Sequence, residues 1–139
     1  MSIAWKGEDL ARKLGIEKDM SLAIMNPPYG FVQSLVEIRE MLRSMHTDIK
    51  MRVAVNVDMF VYFSRRRKGL EENLPKLLGD LNQSGVIWIG WLKPKGMKAD
   101  LDERAVCDIA QKFGMVSVDS MAFSDEWPMI KFVRAGERR

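Results

Sequence analysis

Four consecutive residues, Asn26-Pro27-Pro28-Tyr29, join an amide, two rigid rings and a phenol. An asparagine amide donates and accepts at once, which suits a ligand-holding loop. The plainer account is a stiff turn ahead of a helix, because each proline fixes its own φ. A second run, Ser64-Arg65-Arg66-Arg67-Lys68, gathers cations at what reads as the start of a helix. There they oppose the helix macrodipole, which points to an anionic partner. A solvated charge run is the competing account. Asp125-Glu126 sets two carboxylates side by side, either as a general-base pair or as ordinary turn residues.

Other chemistries are limited by what the chain contains. It has one histidine, His46, and one cysteine, Cys107. Together they cannot complete a zinc site of the usual nitrogen and sulfur ligands, and no internal disulfide can form. Cys107 sits in a helical stretch beside Val106 and reads as a packed side chain rather than a nucleophile. The 139 residues are 47% hydrophobic and 29% charged, with a net charge of +3. That is enough chain for one domain with a real core, residues 1–139, and it is not the composition of a disordered segment. A charge of +3 is too small by itself to argue for nucleic acid. No stretch approaches the roughly 20 apolar residues that span a bilayer, and no signal peptide opens the chain. A cytoplasmic protein is the expectation, in keeping with the lone cysteine.

The elements that must carry these residues alternate. A short helix over 8–14 stops at Gly15. An apolar run, 22–25, closes at Asn26-Pro27-Pro28 and reads as a buried strand. Spacings of three and four predict a helix over 31–44. Strands are expected over 52–56 and 59–63, then a helix over 66–81 kinked or split at Pro75. Gln83-Ser84-Gly85 turns into a strand over 86–91, followed by a polar loop over 93–99 and a helix over 101–113. The runs 115–123 and 129–133 leave no room for a crossover, so they must pair as an antiparallel hairpin. Most of the eleven methionines fall in apolar runs, as core filler. Strand–helix alternation with such an ending is a three-layer α/β fold with a mainly parallel sheet.

That arrangement is similar to the Rossmann-like fold of S-adenosylmethionine-dependent methyltransferases. The chain also resembles a small bacterial and archaeal domain family of unknown function. The likeness rests on Lys13-Leu14-Gly15-Ile16, Pro28-Tyr29-Gly30-Phe31, Leu70-Glu71-Glu72-Asn73-Leu74-Pro75 and Gly85-Val86-Ile87-Trp88-Ile89-Gly90-Trp91. It continues with Asp100-Leu101-Asp102-Glu103 and Asp125-Glu126-Trp127, through Lys131-Phe132-Val133-Arg134. The resemblance implies a trimmed methyltransferase-like topology, with one strand–helix unit missing. In it, 22–25 is the first strand, 59–63 and 86–91 the fourth and fifth, and the last two strands the closing hairpin. It implies no particular reaction. The run Asn26-Pro27-Pro28-Tyr29 resembles the N-P-P-Y motif of adenine-N6 and glutamine methyltransferases, which implies that Asn26 and the backbone would hold the amino group being methylated and Tyr29 would stack on the base. There the motif follows the fourth strand, whereas here it follows the first, and no glycine-rich cofactor turn accompanies it. The family's ribose-holding acid ends the second strand. With that strand read over 52–56, Asp58 is the candidate.

In open α/β sheets, ligands bind beyond the carboxyl ends of the strands, where strand order reverses. Three loops leave such ends, carrying Asn26, Tyr29 and Gly30, then Ser64 and Arg65, then Lys93. Trp91 and Trp127, at strand–loop junctions, are expected to line the same edge. A small anionic or nucleotide-like ligand suits it. S-adenosylmethionine is compatible with the fold implied, and a protein partner is open. The leading expectation is a ligand-binding or interaction module without catalysis. An active methyltransferase and a basic nucleic-acid adaptor are the alternatives, nucleic acid being the weaker on charge.

Overall fold

A computed structural model describes residues 5–47, 56–93 and 101–136. The elements are α1 (Gly7–Leu14), β1 (Ser21–Met25), α2 (Phe31–Ser34), a 3-10 helix (Val36–Met41), β2 (Ser44–His46) and β3 (Val57–Ser64). Then come α3 (Arg67–Asp80), β4 (Leu81–Trp91), α4 (Glu103–Lys112), β5 (Met115–Ser124) and β6 (Trp127–Arg134). The six strands form one sheet in the order β2-β1-β3-β4-β6-β5. β2, β1, β3 and β4 are parallel, while β6 runs antiparallel to both β4 and β5. The chain moves outward from β1 to β2, then returns to place β3 on β1's other side. Strand order therefore reverses between β1 and β3.

Both faces of the sheet are covered, so successive residues of one strand serve different cores. Ala23 and Met25 of β1 pack with Leu70, Leu74 and Leu77 of α3 and with Val106 and Ile109 of α4. Leu22 and Ile24 pack on the other side with Leu10 and Leu14 of α1 and with Phe31 and Leu35. This is the alternation that the pleat of a strand imposes. It explains why the strand runs read as apolar throughout rather than as every second residue.

The expected alternation of elements is present, with four differences. The helix over 31–44 breaks after Ser34 into a 3-10 turn, and 44–46 joins the sheet as β2. Pairing with the sheet decides this. Arg43 and Ser44 donate their backbone N–H groups to the Met20 carbonyl at 2.9 and 3.4 Å, and the Ser21 and Ser44 hydroxyls meet at 2.7 Å. α3 runs unbroken through Pro75, which stands exposed on its outer face. There the carbonyl that loses its partner can be hydrated. β4 begins at Leu81, and Gln83-Ser84-Gly85 is a bulge within it, because Val57 and Met59 oppose Leu81 and Val86. β3 starts at Val57, so Asp58 belongs to the beginning of the third strand rather than the end of the second. Of the strand read over 52–56, residues 52–55 lie outside the described residues, as do residues 94–99 of the polar loop.

Candidate functional site at the carboxyl edge

β1 ends at Met25, and the next five residues are built to hold one shape. Asn26 and Gly30 both have left-handed backbone, at φ 55° and 89°. Asparagine and glycine tolerate that region best. Between them, Pro27 and Pro28 fix two more φ angles. The result is a stiff loop that leaves the Tyr29 ring 98% exposed. An aromatic side chain held so fully in solvent is unusual.

β3 and β4 bring their carboxyl ends beside this loop. Ser64, the last residue of β3, is buried and donates its hydroxyl to the Arg66 carbonyl at 2.8 Å. That bond turns the chain into α3 and leaves Arg65 outside the turn. The Arg65 guanidinium lies over the Trp127 ring, 5.2 Å from its centre. Trp127 is in turn fixed edge-on against Phe63, and Phe63 against Phe31. Gly90 makes that aromatic stack possible, since a Cβ there would meet the Phe63 ring at 2.8 Å.

Two clefts open on this edge. One, of about 600 Å³, has aromatic walls from Trp5, Tyr29, Phe123 and Trp127, with Arg65 and Glu126 as its charged groups. The other, of about 410 Å³, lies between the ends of β1 and β3, where strand order reverses. It is lined by Asn26, Ser64, Arg65, Arg66, Tyr62 and Asn73, among others. Its floor is the Tyr62 hydroxyl, on a ring 1% exposed, which accepts from Asn73 Nδ2 at 3.0 Å. Arg65 lines both clefts.

Of the residues singled out from sequence, Tyr29, Gly30 and Arg65 meet in the aromatic cleft, and Asn26, Ser64 and Arg65 in the polar one. Asn26 and Tyr29 therefore serve neighbouring clefts rather than one pocket. Lys93 stands at the margin. Its backbone N–H donates to the Glu126 carbonyl at 2.7 Å, and its side chain is exposed outside both clefts. Two residues are elsewhere. Trp91 is 5% exposed and packs in the core beneath α3 and α4. Asp58 lies at the opposite, amino edge of the sheet. There it accepts from the Ser21 backbone N–H at 2.8 Å and from the Asn82 amide, with Arg43 at 3.3 Å. It ties β1, β3 and β4 together and is out of reach of a carboxyl-edge ligand.

Trp127 lines the aromatic cleft as expected, and Glu126 is there too. Trp5, Phe123, Tyr62 and Asn73 carry no signal in sequence. Trp5 reaches the site because its indole N–H donates to the carbonyls of Ala122 and Phe123, more than a hundred positions away, at 3.2 and 3.0 Å. Among the described residues no group of histidines, cysteines and carboxylates could hold a metal ion. No helix among them is long and apolar enough to cross a membrane.

No protein-family model and no curated protein sequence matches this chain. Solved structures do match in shape. The 1,6-didemethyltoxoflavin-N1-methyltransferase of Burkholderia thailandensis, with bound 1,6-didemethyltoxoflavin and S-adenosylhomocysteine, matches at a TM-score of 0.66 and 9% identity, over 92% of this chain and 76% of that one. The magnesium protoporphyrin IX methyltransferase of Synechocystis PCC 6803, with bound S-adenosylhomocysteine, matches at 0.61 and 10% identity, over 90% and 78%. The fold is methyltransferase-like. The chain spans about half the length of another match, the pyocyanin biosynthetic protein PhzM (TM-score 0.65, 11% identity, 90% of this chain and 53% of that one). β3 and β4 are neighbouring parallel strands in the middle of the sheet, and β5 and β6 form the antiparallel hairpin at its end. Among the described residues β2 is the outermost strand on its side.

The residues at the carboxyl edge fit S-adenosylmethionine poorly. A cofactor turn works by offering backbone N–H groups at close range. Here two of the five loop positions are prolines, which have none. S-adenosylmethionine carries a sulfonium and a net positive charge, yet the cleft at the reversal point presents Arg65 and Arg66. Among the described residues no carboxylate lines that cleft. Asp58, the candidate for the ribose hydroxyls, is on the far edge.

Proposed function

We propose that this chain is a small-molecule-binding module on a methyltransferase-like fold, taking a nucleotide-like ligand at the carboxyl edge without transferring a methyl group itself. The observation that carries the reading is the pair of clefts joined at Arg65, one of them at the point where strand order reverses. That is where open α/β sheets hold ligands. Their volumes fall in the range of small-molecule sites, roughly 300–1,000 Å³. The reading takes residues 1–139 as one domain and puts it in the cytoplasm, where a lone cysteine stays reduced.

Thermal unfolding with nucleosides, nucleotides, S-adenosylmethionine and S-adenosylhomocysteine tests it. A ligand at about 100 times its dissociation constant adds roughly 2.7 kcal/mol, a shift of several degrees. The expected result is a shift with a nucleotide-like compound that Arg65→Ala removes. No shift with any of these compounds would overturn the reading. A second reading, an active methyltransferase, is favoured by the bound S-adenosylhomocysteine of the structures it resembles. A shift with S-adenosylmethionine that Asn26→Ala abolishes, together with release of S-adenosylhomocysteine in the presence of an acceptor, would establish that one instead.

A further inference from the structure

We infer that the ligand of this edge is a nucleoside phosphate, its ring against Tyr29 in the aromatic cleft and its phosphate on Arg65 and Arg66. The inference rests on the small-ligand reading and names the ligand's chemistry.

The two clefts ask for different things. In the polar cleft no side chain is an acid and all but one of the polar ones can offer a donor, the exception being Ser64, whose proton goes to the Arg66 carbonyl. Arg65 and Arg66 are cations, Asn26 is an amide, and Asn73 has a second amide proton beyond the one given to Tyr62. The hydroxyl of Tyr62, a buried residue that also lines the cleft, accepts from Asn73. A site of donors without an acid suits an acceptor-rich anion, and arginine suits phosphate best.

The aromatic cleft differs in kind. Trp5 has its indole N–H engaged with two carbonyls, so it offers only its apolar face. Tyr29 offers a ring in solvent. Flat aromatic walls suit a planar ring. A ligand filling both clefts is therefore planar at one end and anionic at the other. Arg65 stands at the junction. Its stacking on Trp127 holds the guanidinium plane, so less side-chain freedom is lost when a phosphate binds. Among the described residues no carboxylate pairs with it. S-adenosylmethionine, a cation, meets the wrong charge at this junction.

The test compares the four 5′-mononucleotides with their nucleosides, following tryptophan fluorescence or calorimetry on the whole chain. At least one mononucleotide should bind about tenfold tighter than its nucleoside, the worth of a charged hydrogen bond or two. The gap should narrow as salt rises. Arg65→Gln should close the gap while nucleoside binding remains. Tyr29→Ala should weaken nucleotide and nucleoside alike, and its exposure keeps folding out of the comparison. A short single-stranded oligonucleotide that binds far tighter than any mononucleotide would place the same chemistry on a strand. Equal binding of nucleotide and nucleoside would overturn the phosphate assignment and leave the small-ligand reading standing. So would S-adenosylmethionine binding more tightly than every mononucleotide. Pyrophosphate competing as well as a nucleotide would overturn the ring assignment. No binding by any of these compounds would overturn both readings.

Discussion

Cys107 shows how a side chain's surroundings decide its chemistry. Burial pushes its thiol pKa up, and the carboxylates of Glu103 and Asp108 push it further. The thiolate is the reactive form, so alkylation by iodoacetamide at neutral pH should run several-fold slower than for a free small thiol. A time course followed by mass spectrometry checks this, and a rate equal to the free thiol would overturn it. Asp119 moves the other way. Partial burial would raise its pKa, but the Ser120 N–H, the Lys13 ammonium and Lys131 outweigh it and hold it below 3.8. A depressed carboxyl stabilises the fold above its unfolded value, and that contribution disappears as pH falls through the lower folded value. The pair with Lys13 at 3.3 Å is half-exposed, so its worth is small. Asp119→Asn should cost about 0.5 kcal/mol at neutral pH in urea unfolding, and nothing once the pH is well below 3.8. A cost that persists in acid would assign the effect to packing instead.

α3 shows the same trade at the scale of an element. Its N-cap is Arg66, with extended backbone at φ −136°, ψ 144°, and no side-chain cap. A cation there opposes the macrodipole, and a hydroxyl would serve better. Arg66→Ser should therefore stabilise the chain by about 0.5–1 kcal/mol in urea unfolding while weakening nucleotide binding. Loss of both stability and binding would show that Arg66 holds the fold. The basic run was visible in sequence, and so was the start of α3, because helix punctuation is local. The hairpin was legible for a different reason: two apolar runs with so short a connection have only one way to pair. β2 was not legible. Ser44 closes the expected helical stretch, and it is pairing with β1, distant in sequence, together with the Met20 carbonyl and the Ser21 hydroxyl, that draws 44–46 into the sheet. The break at Pro75 was expected from the residue alone. The buried Leu70, Leu74 and Leu77 hold the helix together across it.

Across the whole molecule, the sheet separates the residues that hold the fold from those that can hold a ligand. Much of what makes the sequence distinctive turns out to be architecture. Trp88 donates its indole N–H to the Leu14 carbonyl at 2.8 Å, which docks α1 on the sheet. Arg134 reaches the carbonyls of Leu78, Leu81 and Asn82 at 2.9, 3.1 and 2.5 Å, closing the end of α3. The candidate site was legible as three loops at one edge, since that follows from topology. Its occupants were only partly so. Asp58 and Trp91 lie within two residues of a strand end in sequence, and a one-dimensional reading cannot tell which end or which face. The partition yields a comparison that tests it directly. Asp58→Ala removes the acceptor of the Ser21 N–H and the Asn82 amide at the amino edge. It should cost about 2 kcal/mol in urea unfolding, because a partly buried donor is left unpaired. Ligand affinity at the carboxyl edge should be unchanged. Arg65→Gln should do the reverse, since its guanidinium is exposed and its contact is a ring face. If Asp58→Ala instead weakened binding as much as stability, the two edges would be coupled through β1 and β3, and the ligand site would depend on strand register rather than on its own loops.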